Sequence, residues 1–143
     1  MTSTAPGPGP TPSVQARPNL LVVEDDPQVS DIYKVFLQGA GFKVSLAGDG
    51  QQALRLYQQA LEASRPYDLV MMDLHLPVMD GLTCLRRLSS LDRDVRVLIT
   101  TGSPCDDFGE ASDRVAGVVV KPVGLKVLLG KIQAALALPP VRA

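Results

Sequence analysis

The sequence predicts an α/β fold, a doubly wound parallel sheet with helices on both faces. Five short apolar runs, Leu20–Val23, Val44–Leu46, Leu69–Met72, Val95–Ile99 and Val118–Val120, suit strands buried on both sides. The segments between them carry apolar residues at helical spacing, and strands that alternate with helices form right-handed crossovers onto one parallel sheet. A length of 143 residues, 45% hydrophobic and 20% charged, fits one domain with a sizeable core and excludes wholesale disorder.

The elements follow in chain order. Val29, Ile32, Tyr33, Phe36 and Leu37 make the first helix, with Asp26-Pro27 as cap and first residue and Gly39 or Gly41 as its stop. Asp49 can cap a second helix, whose apolar face holds Ala53, Leu54, Leu56, Tyr57, Ala60 and Leu61 before Pro66 ends it. Asp80 can cap a third, on which Leu82, Leu85 and Leu88 repeat every three residues. The segment from Pro104 to Ala116, rich in Asp, Gly and Ser, predicts only a short, weak helix. Leu125, Leu128, Leu129, Ile132 and Leu136 form the stripe of the last helix, which Pro139-Pro140 stops.

Outside residues 19–138 the composition changes. Residues 1–18 contain five of the twelve prolines and one charge, Arg17, and read as a disordered Pro-rich tail or linker, with residues 139–143 as a short C-terminal tail. No basic start precedes an apolar stretch, and no apolar run approaches the roughly 20 residues that span a bilayer, so the expected location is cytoplasmic, away from membranes. The net charge of -1 gives no footprint for nucleic acid, so DNA contact would require a further domain. Cys84 and Cys105 lack metal-ligand spacing and read as free thiols.

Open α/β sheets bind ligands beyond the carboxyl ends of their strands. The residues that end each predicted strand are therefore the candidates: Glu24, Asp25 and Asp26 after the first, Asp73 after the third, Thr100 and Thr101 after the fourth, Lys121 after the fifth. Asp26 before Pro27 is an ordinary helix cap. Of the two threonines only one can face the rim, because side chains alternate along a strand. Asp73 follows four apolar residues, where an unpaired carboxylate would be costly to bury. Two like charges about 4 Å apart repel by roughly 4 kcal/mol at an effective dielectric near 20. Converging Glu24, Asp25 and Asp73 thus need a cation or a shared proton, and an all-oxygen site open to water suits Mg²⁺ or Mn²⁺. With the ammonium of Lys121 opposite, the set describes a site that accepts a phosphoryl group on Asp73.

The motifs VVEDDP at 22–27, MMDLHLPVMDG at 71–81, LITTG at 98–102 and VVKPV at 119–123 resemble those of response-regulator receiver domains, in order and over about residues 19–138. The resemblance implies a flavodoxin-like receiver fold with strand order 2-1-3-4-5 and five helices. It implies a phosphorelay switch in which Asp73 accepts a phosphoryl group from the phosphohistidine of a sensor histidine kinase or histidine phosphotransferase. Asp25, Asp73 and the backbone carbonyl of His75 would hold Mg²⁺, with Glu24 acting through water. Thr101 matches the switch hydroxyl, Lys121 the lysine that contacts a phosphoryl oxygen, and Pro122 a position usually preceded by a cis peptide. Three positions modulate this pattern. Gly102 leaves the site open, His75 is expected to tune the phosphoryl lifetime, and Val118 replaces the aromatic that usually moves with the threonine.

Such a switch catalyses its own phosphorylation and dephosphorylation rather than turning over an external product. A non-phosphorylated interaction module is the competing class, and the intact Asp25, Asp73, Thr101 and Lys121 argue against it. A phosphohydrolase with an aspartyl-phosphate intermediate would normally carry a second Asp where His75 stands. With little chain after Ala137, the expected output is contact with a downstream protein or phosphorylation-dependent dimerisation. Alternatively the chain is the receiver segment of a larger hybrid histidine kinase.

Overall fold

Aspartates start three of the four described helices and left-handed residues stop two of them in the computed structural model, which describes residues 17–102 and 113–138. The described elements are β1 (Asn19–Val23), α1 (Pro27–Gly39), β2 (Lys43–Ala47), α2 (Gly50–Glu62), β3 (Leu69–Asp73), α3 (Gly81–Leu91), β4 (Val97–Thr101), β5 (Val115–Val120) and α4 (Leu125–Leu136). Asp26, Asp49 and Asp80 each accept a backbone N–H of the helix they open, from Gln28 at 3.0 Å, Gln52 at 2.8 Å and Thr83 at 2.8 Å. At the end of α1, Gly41 has φ 102, and the N–H groups of Gly41 and Phe42 donate to Gln38 and Leu37. Gly41, not Gly39, is therefore the stop. α2 ends in the same way on Ser64 at φ 57, before Pro66 is reached.

The strands form one parallel sheet in the order β2-β1-β3-β4-β5. Alternation divides its core in two. Leu21, Val23, Val70, Met72, Val97 and Ile99 face α2 and α3, meeting Ala53, Tyr57, Cys84, Leu85 and Leu88. Leu20, Val22, Leu69, Met71, Leu98 and Val119 face α1 and α4, meeting Tyr33, Leu37, Leu128 and Ile132. The central strands β3 and β4 are buried along their full length, as continuous apolar runs require.

Three local differences from the sequence pattern have physical causes. β5 begins at Val115 rather than Val118, because Gly117, which has no side chain, hides the strand's continuity. Val97 pairs with Val115 and Leu98 with Gly117, leaving Ala116 in a bulge. Ile32 belongs to the helical apolar pattern yet is 54% exposed, because Tyr33 and Leu37 fill the space between α1 and the sheet. The weak helix expected within Pro104–Ala116 falls largely on residues 103–112, which lie outside the described residues, as do Cys105, residues 1–16 and residues 139–143. Among the described residues no helix is long and apolar enough to cross a membrane.

Candidate functional site

The chain ends of β1, β3 and β5 meet on one rim. Glu24 and Lys121 each extend their strands by one more ladder bond, the Glu24 N–H to Ala47 at 3.0 Å and the Lys121 N–H to Thr101 at 2.7 Å. By strand alternation Glu24 continues Leu20 and Val22, Asp73 continues Leu69 and Met71, and Lys121 continues Val119, so all three leave the sheet towards the α1 and α4 side.

There Lys121 Nζ donates to Asp73 Oδ2 at 2.6 Å and to Glu24 Oε1 at 3.3 Å. Both carboxylates are buried, Asp73 at 7% and Glu24 at 5% exposure. The remaining oxygens are also engaged: Asp73 Oδ1 accepts the His75 N–H at 2.9 Å, and Glu24 Oε2 accepts the Asp26 N–H at 3.1 Å. Burial pushes the Glu24 carboxyl above its ordinary value, although the Asp26 N–H and Lys121 pull it down. Burial also works against the Lys121 ammonium, but the hydrogen bond and charge of Asp73, with those of Glu24, outweigh it and hold its pKa above the ordinary lysine value.

Asp25 is exposed, and it offers a carboxylate oxygen to the same place. Ligand oxygens of Glu24, Asp25 and Asp73 all lie within 4.8 Å of one another. Three carboxylates against one ammonium leave two negative charges, the complement of one divalent cation. The donors are all hard oxygens with one exposed side, which suits an ion that keeps part of its water shell.

The other expected residues lie on or just after β3, β4 and β5. Thr100 is the register partner of Asp73, and its carbonyl accepts the Leu74 N–H at 3.1 Å. Thr101 is fully buried at the end of β4. Gly102 is exposed, with no contact for a Cβ among the described residues beyond its chain neighbours, and His75 is exposed two residues after Asp73. The Lys121-Pro122 peptide is cis, as the resemblance implies. Val118 is half-buried and packs on the α2 and α3 side of the sheet.

Two residues at the site were not singled out from the sequence. Gly81 opens α3 directly against the backbone at the end of β3: a Cβ there would lie 2.6 Å from Leu74 Cα and 2.8 Å from the Asp73 carbonyl oxygen. The Gly81 N–H donates to the Leu74 carbonyl at 2.9 Å, closing the loop beneath Asp73. The signal was present, since a glycine in the first turn has no local helical advantage and implies close approach. Tyr33, buried on α1, lines a cavity together with Lys121. Its place in the helical apolar pattern gives no sign that this part of the face lies beneath the rim.

The sequence matches the family described as response regulator receiver domain over residues 20–133. It is 33% identical over 128 residues to the DNA-binding dual master transcriptional regulator RpaA of Synechocystis sp., an alignment covering 83% of this chain and 49% of RpaA. It is 36% identical over 126 residues to the transcriptional regulatory protein PrrA of Mycobacterium leprae, covering 83% of this chain and 50% of PrrA. The chain thus spans about half the length of these curated relatives. The structure is similar to that of the response regulator protein TrrA of Thermotoga maritima in complex with Mg²⁺ and BeF, with a TM-score of 0.69, 25% identity, and coverage of 82% of this chain and 98% of that one. With its sheet order, its acidic rim and a family match across most of its length, the chain belongs to the response regulator receiver domains of two-component signalling.

Proposed function

We propose that Asp73 is the phosphoacceptor of a phosphorelay switch, taking its phosphoryl group from a phosphohistidine on a sensor histidine kinase or histidine phosphotransferase. The observation that carries this reading is the single ammonium of Lys121 set between the buried carboxylates of Asp73 and Glu24. A carboxylate placed to attack phosphorus, with a cation beside it, meets the main requirement of phosphoryl transfer, which is positioning and charge stabilisation.

A carboxylate oxygen of Asp73 forms the new bond to phosphorus as the phosphorus–nitrogen bond to the partner's imidazole breaks, and the bond electrons leave with that nitrogen. The His75 N–H, now on Asp73 Oδ1, and the Lys121 ammonium, now on Oδ2, are the donors that orient the carboxylate before transfer. Lys121 then moves to a phosphoryl oxygen. Asp25, Asp73 and the His75 carbonyl would hold Mg²⁺ or Mn²⁺, with Glu24 acting through water. The ion supplies neutralisation of the phosphoryl oxygens. Thr101 gives its hydroxyl to the same group, and Gly102, lacking a side chain, keeps the approach open to an incoming imidazole.

The group adds a charge of about -1.5 to -2 to this rim, which biases a surface read by a downstream protein or by a second copy of the chain. With Val118 in place of an aromatic, that surface change runs through Thr101 and its loop. His75, exposed beside the phosphoryl position, tunes how long the group survives. Residues 19–138 are the switch itself.

Incubation with phosphoimidazole and Mg²⁺, followed by phosphoprotein gel analysis, tests the reading. Label on the wild type and none on Asp73→Asn is expected, and no label on the wild type overturns it. A phosphoryl lifetime unchanged in His75→Ala would remove the assigned role of His75.

A further inference from the structure

Lys121 has three N–H donors, and two are used on Asp73 and Glu24. The lysine also lines a cavity of about 370 Å³ with Val29, Tyr33, Pro122 and Val123. Apart from the ammonium, the polar side-chain atom in that wall is the phenol oxygen of Tyr33. Tyr33 is only 7% exposed, and its hydroxyl has no hydrogen-bond partner among the described residues. The ring is buried while the hydroxyl keeps solvent contact, so its oxygen opens onto the cavity that Lys121 also lines. The phenol feels the charges of Lys121, Glu24 and Asp73, which places it within electrostatic reach of the cluster.

We propose that Tyr33 is a positioning residue for Lys121, its hydroxyl oxygen accepting the third ammonium donor through one water in the shared cavity. The proposal rests on the phosphorelay reading and deepens it. When Asp73 becomes phosphorylated, Lys121 must leave Asp73 Oδ2 for a phosphoryl oxygen while keeping its charge over the rim. An acceptor on the α1 side, fixed to a helix packed against the sheet, limits where the ammonium can swing during that exchange. The other described lining residues, Val29, Pro122 and Val123, carry apolar side chains. Tyr33 does not touch the phosphorus in this account; it acts through Lys121.

Tyr33→Phe keeps the ring and removes the acceptor. Three readouts on the full chain separate positioning from packing. Thermal stability should stay equal to the wild type, because the buried ring is kept and the hydroxyl it loses is solvated. Phosphoryl uptake from phosphoimidazole with Mg²⁺ should slow by about three- to tenfold, the weight of one hydrogen bond. The Lys121 Nζ cross-peak, assigned by its loss in Lys121→Met, should shift in Tyr33→Phe while Mg²⁺ affinity stays unchanged. Tyr33→Leu, which also lacks the hydroxyl, should reproduce the rate loss if it remains folded. Wild-type uptake rates in Tyr33→Phe with an unmoved Lys121 signal overturn the positioning role and leave the phosphorelay reading standing. Failure of the wild type itself to take up phosphoryl groups defeats that underlying reading instead.

Discussion

Replacing Gly81 with alanine adds one methyl group at the tightest backbone contact of the site. The new Cβ would stand 2.6 Å from Leu74 Cα and 2.8 Å from the Asp73 carbonyl oxygen. Carbon atoms pack comfortably at about 3.5–4.0 Å, so α3 must retreat by about 1 Å or the Asp73-Leu74 peptide must move. Both obstacles are backbone, and no side-chain rotation relieves them. Overpacking of this kind costs about 1–3 kcal/mol, and the better helix propensity of alanine returns less than about 1 kcal/mol. A net loss of about 2 kcal/mol lowers the folding equilibrium about 30-fold. It lowers Tm by about 6–10 °C for a domain of this size. Urea unfolding reads it directly, as a fall in midpoint with an unchanged slope. Phosphoryl uptake should fall as well, because the displaced peptide carries Asp73. Gly102→Ala is the matched control: among the described residues beyond its chain neighbours no atom lies within 4 Å of its Cβ, so stability should stay within about 0.5 kcal/mol. A Gly81→Ala protein as stable and as readily phosphorylated as the wild type would show that the contact between α3 and β3 does not hold the site.

Other outcomes follow from single contacts. Tyr57 is 1% exposed and its hydroxyl donates to Asp92 Oδ2 at 2.6 Å, joining α2 to the end of α3, so Tyr57→Phe should cost about 1.5 kcal/mol in denaturant unfolding. The Thr83 N–H holds the Asp80 carboxyl below its ordinary value, with desolvation opposing. The stabilisation from that ionised cap is present above the unfolded carboxyl pKa and is lost as pH falls through the folded one. Asp80→Ala should therefore cost about 1 kcal/mol at neutral pH and progressively less in acid below about pH 4, measured by pH-dependent melts. Mg²⁺ at ten times its dissociation constant should stabilise the wild type by about 1.4 kcal/mol, and this gain should largely vanish in Asp25→Ala. Equal Mg²⁺ shifts in the two proteins would remove Asp25 from the metal site. Burial pushes the Cys84 thiol up to about 12, so in a Cys105→Ser background the folded protein should resist thiolate-directed reagents at pH 8 and react once unfolded.

Much of this architecture is legible in local pattern. Each Asp cap works as its position suggests, because a cap depends on two or three adjacent residues. The runs that became β3 and β4 stand out because both faces of these strands are covered. Glu24, Asp73 and Lys121 could be named because strands of one parallel sheet deliver their ends to one rim. What stayed hidden depends on distance in space. Gly81 matters for the Leu74 backbone, which reaches it only after the loop folds back. Ile32 and Tyr33 are neighbours in the same apolar pattern, and only the docking angle of α1 decides that one is exposed and the other buried. Val115 and Gly117 belong to β5 through pairing with β4, which local composition does not record.

The central claim, that Asp73 takes a phosphoryl group within a metal-binding acidic rim, is tested most directly by intact-protein mass spectrometry after exposure to a small acyl phosphate. Wild type, Asp73→Asn and Lys121→Ala would be compared with Mg²⁺ and with a chelator. The account predicts one added phosphoryl group on the wild type with Mg²⁺, very little with the chelator, none on Asp73→Asn, and slow uptake by Lys121→Ala. Equal labelling of wild type and Asp73→Asn, or none on a folded, Mg²⁺-loaded wild type, would contradict it.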